Sequence, residues 1–144
     1  MKIQQLSLFV ENKPGHTAAP ARLLADEGID IRALYLADTE KYGIVRMIVS
    51  DWKKSAEILK AHGYVAKATE VLAVEVPDRP GGMADVLGAL DGSGINIEYM
   101  YAFPYPRGDQ AILIFRFNDS DAAIARLQTA GINLVTGDEL MKKR

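Results

Sequence analysis

Two stretches of this chain carry one pattern: Glu11–Tyr35, ENKPGHTAAPARLLADEGIDIRALY, and Pro77–Tyr101, PDRPGGMADVLGALDGSGINIEYMY. Pro14, Gly15, Gly28, Ile29 and Ile31 return as Pro80, Gly81, Gly94, Ile95 and Ile97, each 66 positions on (80 − 14). Farther along, Asp51, Leu59 and Gly63 return as Asp119, Leu127 and Gly131, 68 positions on (119 − 51), so the second copy holds two extra residues. Pro104, Pro106 and Gly108 place that extra length in a longer hairpin loop near Phe103–Asp109. A constant offset of this kind is the mark of a duplicated module, and the 144 residues divide into two small domains, 1–69 and 70–144, with a short tail from about Gly137.

Within each copy the hydrophobic period changes in a fixed order. Leu6, Leu8 and Val10 alternate with Ser7 and Phe9, as Leu72, Val74 and Val76 do with Ala73 and Glu75, which is the pattern of a strand with one buried face. A Pro-Gly turn follows. Thr17, Ala21 and Leu24, and again Met83, Leu87 and Leu90, then share one helical face in short amphipathic helices that end near Gly28 and Gly94. Pro20 falls within the first helical turn, where its missing N–H has no intrahelical partner to lose.

Two strands come next in each copy, Asp30–Ala37 with Tyr42–Val49 and Asn96–Phe103 with Gln110–Phe117. A second helix runs from Asp51 to His62 and from Asp119 to Ala130, each opening on an Asp that can cap free amides and favour the helix dipole. Short last strands are expected around Tyr64–Ala68 and Ile132–Val135. The order strand, helix, strand, strand, helix, strand, twice over, is the α+β ferredoxin-like arrangement: a four-stranded antiparallel sheet with both helices on one face. The opposite face must then be solvated or covered by a partner.

Composition narrows the function classes. Hydrophobic residues make up 49% and charged residues 25%, as in a globular protein able to build a core. A net charge of −2 with Lys and Arg spread along the chain gives no electrostatic reason to expect nucleic acid or an anionic membrane. Lys142–Lys143–Arg144 is the one basic cluster, and reads as a solvated end. The absence of cysteine removes disulfides, thiolate metal sites and thiol nucleophiles, and fits a reducing cytoplasm. The N-terminal apolar run is too short for a signal peptide, and no stretch approaches a spanning helix.

Chemistry by side-chain constellation is also scarce. His16 and His62 fall at different places in the module, lack a third ligand nearby, and read as surface residues, so no metal and no cofactor is expected. Val45, Met47 and Val49 stand where an RNA-binding sheet would carry aromatics. No Ser–His–acid motif appears, and the chain reads as a non-enzyme. What remains is the Pro-Gly turn, where Gly15, Gly81 and Gly82 let the backbone turn tightly and bring amides of a helix start toward an anion such as a carboxylate.

Val-x-x-x-Pro-Gly, a short helix, then Gly-Ile-(Asp/Asn)-Ile, as in VENKPG…EGIDI and VPDRPG…SGINI, resembles the ACT domain, a small regulatory module that commonly binds amino acids. The resemblance covers both halves and leaves only the tail. It implies a stand-alone tandem ACT protein whose modules sit side by side in an extended sheet, with a free amino acid held between the loop of one module and a neighbour. In serine-binding ACT domains polar side chains occur before Pro-Gly and within Gly-Ile-x-Ile, places held here by Asn12 and Asp30 in one copy and by Asp78 and Asn96 in the other.

The candidate ligand set is therefore Asn12, Lys13, Pro14, Gly15, His16 and Asp30 in the first copy. Its counterpart is Asp78, Arg79, Pro80, Gly81, Gly82, Met83 and Asn96, with Tyr99 and Tyr101 either an apolar wall or, as is commoner for such a stripe, structural packing. Amides around Gly15–His16 or Gly81–Gly82 would take a carboxylate, and Asp30 or Asp78 an ammonium; alternatively the Asn and Asp side chains only cap turns. His16 at the place of Gly82 either contacts the ligand or closes the first site. Arg46, among apolar neighbours, either pairs with a carboxylate on the face away from the helices or sits at a solvated edge. The expected protein is an amino-acid sensor, a homodimer acting through a partner enzyme or regulator not named by the sequence. Its rival is a subunit of a larger complex that keeps the fold without binding a ligand.

Overall fold

The computed structural model describes residues 1–38 and 40–142. It divides into two compact units, one formed by Gln4–Thr69 and the other combining Met1–Ile3 with the chain from Glu70 onward. The first unit carries β1 (Ile3–Glu11), α1 (Ala18–Asp26), β2 (Ile31–Asp38), β3 (Tyr42–Val49) and α2 (Trp52–Ala61). β4 (Val65–Pro77) follows, and the second unit continues with α3 (Gly82–Gly88), β5 (Ile97–Arg107), β6 (Gln110–Phe117), α4 (Ser120–Thr129), β7 (Leu134–Val135) and α5 (Gly137–Met141). Sheet order is β2-β3-β1-β4 in the first unit, and β5-β6-β4 with β7 also on β4 in the second, all antiparallel where the register is defined. Each unit is thus an α+β ferredoxin-like module.

The alternation read in the sequence decides which face each strand buries. Leu6, Leu8 and Val10 pack with Val45, Met47 and Val49 under Leu24 of α1 and Leu59 of α2. Leu72, Val74 and Val76 pack with Phe115 and Phe117 under Val86 of α3 and Leu127 of α4. Phe115 and Phe117 stack at 5.3 Å between ring centroids. Each such side chain removed from water contributes about 1.5–3 kcal/mol, and this burial, rather than the propensity of helices this short, holds the modules together.

The register repeats as the offsets require: Tyr35 pairs with Arg46 and Tyr101 with Ile114, and Ile31 pairs with Val49 and Ile97 with Phe117. The two extra residues do lie past Phe103, but as strand rather than loop. The ladder shifts between Phe103 and Arg107, then resumes with Arg107 opposite Gln110. β5 is an edge strand, so Pro104 and Pro106 can lack N–H groups there at no cost to the ladder.

Several local readings change. β4 is one strand of 13 residues where two shorter ones were expected; Ala66 and Ala68 at its start close one core, and Leu72, Val74 and Val76 the other. α3 stops at Gly88, well before Gly94, and the chain continues in single turns such as Leu90 N to Leu87 O while Leu90 stays buried. Asp51 and Asp119 cap as expected, accepting from the amides of Lys54 at 3.1 Å and Ala122 at 3.0 Å. The segment from Gly137 is a helix, not a tail: Thr136 and Glu139 form a reciprocal capping box, and Leu140 is buried. Lys143 and Arg144, two of the three cations of the basic cluster, lie outside the described residues.

Several residues on the sheet faces away from the helices are buried. Gln5, Ala33 and Ile48 are buried in the first unit, and Ala73, Ile112, Ile114, Tyr101 and Phe103 in the second. No helix among the described residues is long and apolar enough to cross a membrane.

Candidate functional site

The two Pro-Gly turns are built by the same backbone bonds. Asn12 N donates to Lys41 O and Asp78 N to Asp109 O; Lys13 N to Glu11 O and Arg79 N to Pro77 O; His16 N to Lys13 O and Gly82 N to Arg79 O; Ala19 N to Gly15 O and Asp85 N to Gly81 O. Every donor keeps the 66 offset, and Lys41 to Asp109 keeps the 68 offset. Gly15 and Gly81 both adopt positive φ, +83° and +86°, a region closed to most side chains. One difference stands inside this sameness. A Cβ on Gly82 would lie 2.0 Å from the carbonyl oxygen of Pro77, whereas His16 is accommodated at the matching place in a looser turn, 3.3 Å from His16 N to Lys13 O against 3.0 Å from Gly82 N to Arg79 O.

Beside each turn lies a cleft, and much of the two linings corresponds. In the first unit a cleft of about 320 Å³ is bounded by Phe9 and Glu11 of β1, His16 and Ala19 at the start of α1, and Gly63–Val65 after α2. In the second unit a cleft of about 500 Å³ is bounded by Glu75 and Pro77 of β4, Asp85, Val86 and Ala89 along α3, and Gly131–Asn133 after α4. Phe9 to Glu75 and Ala19 to Asp85 are 66 apart, and Gly63 to Gly131 is 68 apart. The second cleft opens where β7 leaves β4: pairing covers Ala73 and Val74, Glu75 N still reaches Asn133 O at 3.0 Å, and no backbone pairing on that side is found beyond it among the described residues.

The clefts match in place and differ in charge. The second gathers Glu75, Arg79 and Asp85, with Arg79 Nη2 2.9 Å from Asp85 Oδ2 and Arg79 Nη1 donating to Pro80 O at 3.2 Å. In the first, Phe9 and Ala19 replace the two acids. Its Glu11 is engaged by Lys13 at 2.7 Å. A hydrogen bond and the charge of Lys13 hold the exposed Glu11 carboxyl below its ordinary value of 4.5, and Glu11 in turn raises Lys13.

A family model described as an ACT domain pair matches residues 1–143. The chain belongs to that family. Among solved structures this ACT pair is similar to protein BT0572 from Bacteroides thetaiotaomicron, with 35% identity, a TM-score of 0.91, and coverage of 99% of this chain and 98% of that one. The regulatory subunit of aspartate kinase from Thermus thermophilus, in its ligand-free form, shares 20% identity at a TM-score of 0.63, over 88% of this chain and 91% of its own. The corresponding subunit from Thermus flavus shares 19% at 0.60, over 89% and 92%. At that distance the likeness is one of fold. No curated protein sequence matches the chain. An ACT pair suggests a regulatory, ligand-sensing role.

The candidate residues of the ACT pair do not all meet. Arg79 and His16 line the two clefts, and Asn12, Lys13, Pro14, Gly15, Asp78, Pro80, Gly81 and Gly82 build the turns beside them. The amides of His16 and Gly82 already donate within those turns, so neither is available to a carboxylate in this conformation. Met83 packs against the hydrophobic core. Asp30 and Asn96 sit at the other end of their own sheets. Glu11 pairs with Tyr42 and Ile31 with Val49, so Asn12 and Asp30 are separated by seven residues of β3 (49 − 42), about 23 Å at the usual strand rise. Pro77 opposite Gln110 and Ile97 opposite Phe117 give the same separation in the second unit. One unit therefore cannot bring Asn12 and Asp30, or Asp78 and Asn96, onto the same small molecule.

Asp30 and Asn96 instead take part in a repeated latch: Asp30 N donates to Ser50 Oγ at 3.0 Å and Asn96 N to Asn118 Oδ1 at 2.9 Å, each answered by a backbone bond in return. Tyr99 and Tyr101 stand on β5, two strands from β4, and do not line the cleft. Arg46 donates to Tyr35 Oη at 2.6 Å, its guanidinium 5.6 Å from that ring's centroid. The charged residues of the second cleft that sequence reading did not single out are Glu75 and Asp85. A signal was present: both are acids where the first copy has apolar residues.

Proposed function

We propose that this ACT pair binds a free amino acid in the cleft beside the second Pro-Gly turn, and that occupancy is reported through a change in conformation or assembly, as in a homodimer or a complex with a partner enzyme. The observation that carries this reading is the pair of matching clefts of which only the second holds charges of both signs around an apolar floor. A zwitterion needs one cation and one anion a few ångströms apart. Arg79 offers a planar fork for the carboxylate, and Glu75, with its side chain 18% exposed, offers an acceptor for the ammonium. Val86, Ala89 and Ile132 supply apolar surface for the ligand's side chain. The first cleft, with Phe9 and Ala19 in place of the acids, is the weaker or silent copy.

A ligand that binds both states of a protein equally shifts nothing, so signalling requires that the occupied cleft favour one state. Thermal unfolding of the chain with each of the twenty standard free amino acids tests the binding. A specific ligand at about a hundredfold its Kd adds about 2.7 kcal/mol and raises the midpoint by roughly 5 °C or more, by mass action. Flat midpoints across the whole set would favour the rival reading, a subunit that keeps the fold without a ligand.

A further inference from the structure

Glu75 has a second partner. Arg107 Nη1 lies 3.4 Å from Glu75 Oε1 and 2.8 Å from Glu139 Oε2, so one guanidinium joins the carboxylate of Glu75, a residue of the cleft lining, to a carboxylate of α5. Glu139 is itself part of the capping box, its Oε2 accepting from Thr136 N at 3.1 Å. Both ends of this link belong to the second copy alone. Arg107 ends the stretch of β5 past Phe103 that holds the two inserted residues, and among the described residues α5 follows the second module with no counterpart after the first. The insertion and the terminal helix thus meet in one contact.

We propose that Arg107 is a latch coupling occupancy of the second cleft to the docking of α5: an amino acid whose ammonium reaches Glu75 displaces Arg107 from that carboxylate and loosens the helix. The inference rests on the reading of the cleft as an amino-acid site and names its output. Arg107 and a ligand ammonium carry the same charge and share one acceptor, so each weakens the other's hold on Glu75. Coupling of this kind is reciprocal, and the state of α5 must feed back on affinity. The groups are partly exposed, with side chains 46%, 18% and 31% accessible for Arg107, Glu75 and Glu139, which limits the effect to a few-fold.

Two substitutions outside the cleft lining give opposite expectations. Arg107→Gln leaves Glu75 wholly to the ligand and should tighten binding about threefold. Glu139→Gln preserves a capping-box side chain but releases Arg107 onto Glu75, and should weaken binding by a similar factor. The probe is an equimolar mixture of the twenty standard free amino acids, titrated while the unfolding midpoint is followed, with amide hydrogen exchange of Glu139–Met141 measured in parallel. Exchange in that segment should rise about threefold when the mixture is added to the unmodified chain. If the midpoint of the unmodified chain responds but both variants shift affinity in the same direction, or neither shifts it, or exchange stays flat, the latch is overturned while the binding reading stands. If the unmodified chain does not respond at all, both fall.

Discussion

Gly82→Ala is expected to destabilise the protein by about 3 kcal/mol, near the upper end for forcing extra volume into a packed site. The added methyl would sit 2.0 Å from the Pro77 carbonyl oxygen, which is backbone and cannot swing aside as a side chain would. Relief requires opening the turn that Gly82 N and Arg79 O close at 3.0 Å, and with it the wall of the cleft formed by Pro77 and Arg79. His16→Gly at the matching position should change stability by less than about 1 kcal/mol, because that turn is already built around a side chain. Urea denaturation of the two variants checks the contrast. A Gly82→Ala protein within about 0.5 kcal/mol of its parent would mean that the second turn relaxes freely to the first turn's geometry, and the difference between the copies would lose its physical basis.

Arg79→Met should lower amino-acid affinity about tenfold to a hundredfold while leaving stability nearly unchanged. The ion pair it loses with Asp85 joins side chains 58% and 64% exposed, and such pairs contribute little to folding. The charge-assisted, forked contact to a carboxylate is worth more, about 1.5–3 kcal/mol, and has no substitute in the cleft. Lys13→Met, the same change at the matching position of the first unit, should leave affinity within about twofold, since Lys13 is held by Glu11 and does not line its cleft. Calorimetric titration of both variants separates the sites. Equal losses would place binding in both units, and a loss confined to Lys13→Met would place it in the first.

Much of this was legible in the residues, for reasons that also show where reading stops. The 66 and 68 offsets located the inserted residues because Pro14–Gly15 and Gly63 punctuate the backbone in ways few other residues can. Asp51 and Asp119 marked helix starts because a carboxylate there satisfies amides that the helix cannot. The cleft was harder to see. Glu75 alternates out of the core, and nothing local says that β7 ends after two residues and leaves the edge of β4 open beside it. Asp30 and Asn96 follow the Pro-Gly turn closely in sequence but not in space within their own unit, because the parallel course of β1 and β2 puts the end of one and the start of the other at opposite sides of the sheet. Helix α5 had a signal that composition obscured: Thr136-Gly-Asp-Glu139 is a capping box, overlooked beside a run of terminal cations.

The most direct test of the central claim is a calorimetric titration of the protein with the amino acid that raises its midpoint, with that amino acid's methyl ester, and with its deaminated analogue. With Arg79 holding the carboxylate and Glu75 the ammonium, the free amino acid should bind at least tenfold more tightly than either analogue, because the ester gives Arg79 no carboxylate charge and the deaminated analogue gives Glu75 no ammonium. Equal affinity for all three would contradict the account, since the cleft would then be recognising the side chain alone.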